Sequence, residues 1–465
     1  MRICVVGDGI SALASAFYAT RAGFEVVVAP IHREMPWLER SFEHDGQRFD
    51  CFHQPIHSTD AALCGFLAEL ELLPRLVWKN VSCRVFAVDE QRFLTSSAML
   101  RECDGLSAIG RWRTSYALRR LLSYSPLSCD LTWNEWLAQS CGVEAARALA
   151  DPLTSAACGE TIHSLSARSA QLLVRTLVHK ATRRQASFEG GLSSLLGTIR
   201  GKLQARGVEW RSAGAISGIQ RGASGEVRVR FGERTELFDA VIATDAPTDW
   251  IKLVDVSEER ELPALGASPE GMISAVALVR GRRLLPHGSL VAFSQHGYPF
   301  AWVHAPEPMR NERSPDLWPI YLVHRGPSHL PTFLADDETW ADRARRTLAD
   351  MVGPTALDAV EQVHVFRTRS LDCPLSGAEP AKALPVRLGR LPLFLGTTAR
   401  SPMRPLGPES SVMVAREAVE AAVQNAIRFP APATRAIAEQ ALPPQRPRPR
   451  ARRSIELETP VLRPA

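Results

Sequence analysis

Short apolar runs alternate with helix-period stripes along this chain, and the first three segments frame the rest. Residues 2–6 (Arg-Ile-Cys-Val-Val) are a β-prone run, 11–22 carry small and apolar residues at helical spacing, and 24–29 are a second β-rich run. Gly23 sits where a helix would stop in the left-handed region. Strand, helix and strand in this order predict a βαβ unit. Residues 41–50 then read as a hairpin around Asp45-Gly46, a dipeptide that suits a tight turn. A helix is expected over 57–76, with Leu63, Phe66, Leu67, Leu70 and Leu73 on a rough stripe, and 95–184 are mainly helical in pattern. Trp133 and Trp136 are most simply core packing. Gly190-Gly191-Leu192 opens a further helix ending near Gly207, and strands are expected over 208–211, 216–220 and 227–231. Residues 238–247 (Phe-Asp-Ala-Val-Ile-Ala-Thr-Asp-Ala-Pro) read as a buried strand leading into a loop. Residues 271–361 are strand-rich and then helical, 391–396 form a last apolar strand, and 410–426 a last helix. The ordered fold should end near Arg428.

The turn inside the first unit carries chemistry. Gly7-Asp8-Gly9-Ile10-Ser11-Ala12 is a GxGxxA sequence in its expected context, after a strand and at the start of a helix. Gly7 permits the tight turn, Gly9 lets a pyrophosphate approach the backbone, and Ala12 lets helix and strand pack closely. The helix N-terminus offers free N–H groups and a positive dipole end, so Gly7, Gly9, Ile10, Ser11 and Ala12 are the candidate dinucleotide-binding residues. An acidic residue normally closes the second strand and holds the ribose. Here the strand runs into Ala29-Pro30-Ile31-His32-Arg33, with no carboxylate before Glu34. Either Arg33 and His32 hold a 2′-phosphate, which makes the ligand NADP-like, or backbone groups hold the adenosine end.

Composition narrows the classes. A chain of 465 residues that is 45% apolar can bury two cores, so one interleaved two-domain unit is expected. Of the net charge of +5, residues 429–465 hold +4 (seven Arg, three Glu), which leaves the body near neutral. That Pro/Arg tract, from Arg446 to Arg453, reads as a solvated, disordered appendage. It argues for no specific nucleic-acid partner and leaves open a peripheral contact with an anionic membrane. Nine scattered cysteines without a CxxC pair argue for a reducing, cytoplasmic setting and against a disulfide framework or a zinc site. No signal peptide and no apolar run of about 18 residues is present, so no spanning helix is expected.

Taken in order, Gly7/Gly9/Ala12, Phe49-Asp50, Gly190-Gly191-Leu192 and Phe238-Asp239-Ala240-Val241-Ile242 resemble the landmarks of the flavin-containing amine oxidase and protoporphyrinogen oxidase-like superfamily, which includes phytoene desaturases and renalase-like enzymes. Pro152-Leu153 and Leu165-Ser166-Ala167 are similar to the protoporphyrinogen oxidase-like branch. The resemblance spans most of residues 1–427. It implies an α/β fold: a Rossmann-like FAD-binding domain, a parallel sheet flanked by helices, interleaved with an α+β substrate domain. The FAD-binding domain would comprise 1–85, 186–265 and 386–428, the substrate domain 86–185 and 266–385, and the tail 429–465. The family's ribose acid falls on Pro30, its Gly-Gly on Pro36-Trp37, its following Arg on Leu38, and its late Gly-Asp on Gly396-Thr397. Thr397 could donate one hydrogen bond but supplies no charge.

If FAD binds non-covalently as the resemblance implies, its ring lies between the domains, and His53, Phe300 and Trp302 are the candidate groups beside it. Phe300 and Trp302 alternate and should share one face of a strand. Many relatives carry a lysine at the start of the substrate sheet; residues 272–279 have none. No reliable base, nucleophile or metal set is evident. The first reading is an FAD-dependent oxidoreductase that takes a hydride from a small or medium organic substrate. The alternatives are a cofactor-poor, non-catalytic relative acting as a partner or scaffold, and an NADP-binding reductase. A homodimer is left open.

Overall fold

The computed structural model describes residues 1–428 apart from 33–35, 88–91, 96–106, 124, 128–129, 144–165, 182, 213, 215, 223–224, 256–269, 282, 286–288, 294–298, 307–316, 329, 372–383 and 401–406. The chain begins with β1 (Arg2–Val6), α1 (Gly9–Arg21) and β2 (Glu25–Ala29), then the hairpin β3 (Ser41–His44) and β4 (Gln47–Asp50). Helix α2 (Ala61–Glu69), strands β5 (Ser82–Ala87) and β6 (Arg92–Thr95), and helices α3 (Ala108–Leu122), α4 (Trp133–Cys141) and α5 (Ala167–Ala181) follow. Then come α6 (Gly191–Gln204), β7 (Glu209–Trp210), a small antiparallel sheet within 216–238, and β8 (Ala240–Ala243). The last stretch supplies β9 (Glu270–Arg280), β10 (Ser289–Phe293), β11 (Trp302–Ala305), β12 (Leu317–Pro327), α7 (Asp337–Val352), β13 (Val360–Leu371), β14 (Arg387–Leu388), β15 (Leu393–Leu395) and α8 (Pro408–Arg428).

Two large sheets organise these elements. The first has the order β7-β2-β1-β8-β15-β14 and is parallel except for its last pair. Its central strands are continuous apolar runs because both faces are covered. Ile3, Val5, Val26 and Val28 face α1, α6 and α8. Cys4, Val6, Val27 and Ala29 face the small antiparallel sheet through Ile219, Val229 and Phe238. The second sheet has the order β13-β9-β12-β11-β10-β5-β6 and is antiparallel except where β10 meets β5. Alternation along β9 assigns its faces. Ile273, Ala275, Ala277 and Val279 pack on α7 through Trp340, Ala344 and Leu348. Met272, Val276 and Leu278 turn the other way, onto Phe49, Cys51 and Phe52 just beyond the hairpin.

The helix expected over 57–76 is shorter. It occupies 61–69, Glu71 takes a left-handed φ of 58°, and a 3-10 turn spans Leu73–Arg75. Pro74 has no N–H to continue the ladder, so the apolar stripe outlasts the helix. The hairpin turn forms as expected, with Asp45 and Gly46 both at positive φ (50° and 68°). The tail at 429–465, and with it the expected end of order near Arg428, borders on and lies outside the described residues.

Candidate functional site

The glycine turn joins β1 to α1. Gly7 has φ 125° and Gly9 has φ 74°, both awkward for any residue with a Cβ. A Cβ on Gly7 would strike the Thr244 hydroxyl and the Asp245 carboxylate at the end of β8, whereas a Cβ on Gly9 would meet only Pro36 Cβ, at 3.9 Å. Asp8 is the N-cap of α1 but makes no side-chain cap bond, and the first turn holds no acid. The N–H groups of that turn are therefore left for an anion. Ile10 and Ala12 are buried between helix and sheet, so they act by packing. The Ser11 hydroxyl donates to the Gly396 carbonyl, and Gly396 N–H donates to Ala243 O at 2.8 Å. The structure thus brings Gly7, Gly9, Ile10, Ser11, Ala12, Gly396 and Thr397 together at one end of α1. Thr397 is fully buried, and its hydroxyl oxygen accepts from Ala399 N–H at 3.3 Å. Arg33 lies outside the described residues.

Three acids near this turn were not among the candidate site residues. Asp8 N–H donates to Asp245 Oδ1 at 3.2 Å. Burial first, and the Glu39 carboxylate second, push the Asp8 carboxyl up to about 7. Glu39 is itself buried and ion-paired to Arg200 of α6, with Nη2 3.1 and 3.0 Å from its two oxygens. Arg200 is one arginine among fifty, and nothing in its local pattern sets it apart. At the ribose end, the Pro30 carbonyl accepts from Gly214 N–H at 3.0 Å. Trp37, at the place of the family's second glycine, packs edge-on against Phe52 at 5.6 Å.

Two separate sequence landmarks prove to be one joint. Asp50, at the end of β4, accepts from Leu192 N–H at 2.7 Å and Ser193 N–H at 3.0 Å, and so caps α6. Gly190 and Gly191 sit at φ 75° and 80°, and a Cβ on Gly191 would run into the Asp50 carboxylate. Phe42 of the hairpin packs on His364 and Phe366 of β13 at 4.5 and 5.0 Å. The first contact ties the end of β4 to α6, and the second ties the hairpin to the second sheet, so the stretch after Asp50 runs between them.

That stretch carries His53. Its ring centroid lies 4.4 Å from His304 on β11 and 5.2 Å from Tyr321 on β12. Sheet register explains the meeting: His304 pairs with Tyr321, and Tyr321 with Val276, so the three share one row. His304 is 4% exposed and Tyr321 3%. His53 Nε2 and both ring nitrogens of His304 are buried without a hydrogen-bond partner among the described residues. Burial holds His53 down at about 3, helped by His57, and holds His304 well below the usual histidine range. Both imidazoles are therefore neutral, each able to donate one N–H and accept one hydrogen bond. Their surroundings are apolar: Val276, Val323 and Trp302 share the face. The Ser274 hydroxyl beside them is also buried without a partner among the described residues.

Phe300 does not share the face of Trp302. It precedes β11 and packs on Trp340 at 5.5 Å, in the core under α7. The alternation expected of an extended strand fails because β11 starts at Trp302. His304 and Tyr321 escaped sequence reading because their spacing to His53 is visible only through strand register. A group of metal-type ligands, His44, Asp45 and Glu361, lies at the hairpin tip, where Arg280 bridges the two acids.

Comparison with known proteins gives a consistent picture. The model of the family described as flavin containing amine oxidoreductase matches residues 39–420. Among solved structures, a candidate protoporphyrinogen oxidase from an Exiguobacterium species is similar, with TM-score 0.67 and 18% identity over 91% of this chain and 99% of that one. Putrescine oxidase bound to putrescine gives TM-score 0.68 and 13% identity over 91% and 99% of the two chains. Cyclohexylamine oxidase from Brevibacterium oxydans gives 0.67 and 15% over 92% and 99%.

Proposed function

The chain belongs to the flavin-containing amine oxidoreductase family, and from that premise we propose that it is an FAD-dependent oxidoreductase taking a hydride from a small or medium organic substrate. The observation that carries this reading is the uncapped start of α1 at Gly9, with open backbone facing Pro36. The fit of the pyrophosphate to this turn rests on shape and on N–H groups, not on side-chain charge. The bound flavin supplies the hydride acceptor.

The chain's own residues orient the substrate and exclude water. Trp302, Val276 and Val323 present an apolar wall, and His53, His304 and Tyr321 present a polar patch within it. Each buried, unpaired ring nitrogen costs about 1–3 kcal/mol, so a ligand that satisfies them recovers that energy on binding. Because the imidazoles are neutral, the patch suits an uncharged donor–acceptor group on an apolar body. The absence of lysine from 272–279 favours dehydrogenation of a carbon skeleton over an amine.

A visible spectrum of the purified full chain tests the cofactor. The expected result is bound FAD at one per chain; a colourless protein that takes up no FAD in titration would overturn the reading. The patch is tested separately by His304→Phe, which should leave FAD stoichiometry intact while weakening substrate-driven flavin bleaching by about tenfold or more. Unchanged bleaching would remove His304 from the site.

A further inference from the structure

Helix α3 buries one side and leaves an unusual other side. Thr114, Ala117 and Leu121 are buried against α4 and α5, where they meet Trp133, Trp136, Leu137 and Val174. Facing away are Ile109, 68% exposed, Trp112, 70%, and Tyr116, 52%. They recur at i, i+3 and i+7, which places them on one ridge of the helix. The Trp112 and Tyr116 rings stack at 6.2 Å, 16° from parallel. Leu122, 41% exposed, lies off the ridge at the helix end. Four arginines share the exposed surface of the helix: at about 100° per residue, Arg113 and Arg120 lie on one side of the ridge, Arg119 on the other, and Arg111 further round beyond Arg119. All four are exposed, and α3 contains no acidic residue. None of the four has a carboxylate partner among the described residues.

We infer that α3 docks on an anionic lipid surface, with Ile109, Trp112 and Tyr116 entering the headgroup boundary and the four arginines meeting lipid phosphates and carboxylates. Each feature has a reason. Aromatic rings with polar edges are most stable at the membrane–water boundary. Arginines with long stems reach headgroups while their methylenes cover the apolar ridge. A ridge that protrudes from a helix inserts between lipids, whereas a stable protein partner needs on the order of 800 Å² of complementary surface on each side. The aliphatic Ile109 and Leu122 have no counterpart on a nucleic-acid backbone. No described helix is long and apolar enough to cross a membrane, so α3 lies along the surface as an amphipathic element. The α3 residues are separate in sequence from the basic tract at Arg446–Arg453, and the docking is independent of the redox reading.

Co-sedimentation of the full chain with vesicles tests this. Phosphatidylcholine vesicles containing about a third phosphatidylglycerol should retain the protein, pure phosphatidylcholine vesicles should retain far less, and added salt should release it. The double substitution Trp112→Ser with Tyr116→Ser should weaken partitioning by about tenfold. Arg113→Glu with Arg120→Glu, which spares the ridge, should weaken it at least as much. Replacement of Arg446, Arg448, Arg450, Arg452 and Arg453 by Ser should leave most of the binding. Equal binding to both vesicle types overturns the inference, as does wild-type binding by either α3 variant at unchanged melting temperature. Loss of binding in the tail variant alone assigns the contact to the tail and overturns it too, and so does failure to bind vesicles at all.

Discussion

Asp8 shows how one residue links burial to cofactor affinity. Its carboxyl, held up at about 7 by burial and by Glu39, faces Glu39, His32 and Arg200 and sits beside the phosphate turn. Below that value Asp8 is neutral and tolerates a phosphate; above it, two anions oppose each other. FAD affinity should therefore tighten as pH falls from 8 to 6, and Asp8→Asn should flatten that slope in a fluorescence titration. Glu39 and Arg200 give a second residue-level prediction. Removing the guanidinium by Arg200→Met strands a buried carboxylate and should cost about 3 kcal/mol in urea unfolding, while Glu39→Gln with Arg200→Met should recover much of that loss. These two acids and the arginine were illegible beforehand because their meaning lies in proximity across 161 positions of chain.

Elements explain why distant landmarks had to be kept together. The β4 end and the α6 start share the Asp50 cap, so Gly191→Ala would force a Cβ both into a left-handed backbone and into the carboxylate. A loss of about 2 kcal/mol or more is expected in thermal unfolding, and Asp50→Ala should cost about 1–2 kcal/mol through the lost cap. Across the second sheet, β11 and β12 carry His304 and Tyr321 onto one row opposite His53. Burial lowers the His304 value in the folded state, so the unfolded chain binds its proton first, at about 6.5. Stability should accordingly fall as pH drops from 7 toward 4. His304→Phe should make that fall shallower in pH-dependent melts; an unchanged slope would show that the histidine is not buried neutral. The correction at Phe300 has the same origin: a strand's start decides which face a residue takes, and β11 starts two residues later than the alternation suggested.

At the scale of the whole molecule, the stretch from the hairpin to Phe52 links the two large sheets: Asp50 caps α6, which covers the first, while Phe42, Phe49 and Phe52 pack on the second. Chain order alone determined a good deal. Periodicity announced the βαβ unit, the hairpin and the late strand and helix, because apolar runs and glycine turns are local consequences of backbone sterics and burial. The resemblance in landmark order also identified the family. Tertiary structure decided the rest: that Asp50 and Gly191 form one joint, that Glu39 and Arg200 pair beside the phosphate turn, and that His53 meets His304 and Tyr321. It decided, too, that α3 turns an aromatic ridge and four arginines outward. Each depends on which residues far apart in sequence come within a few ångströms, and that is set by sheet register and helix packing, on which local pattern has no hold.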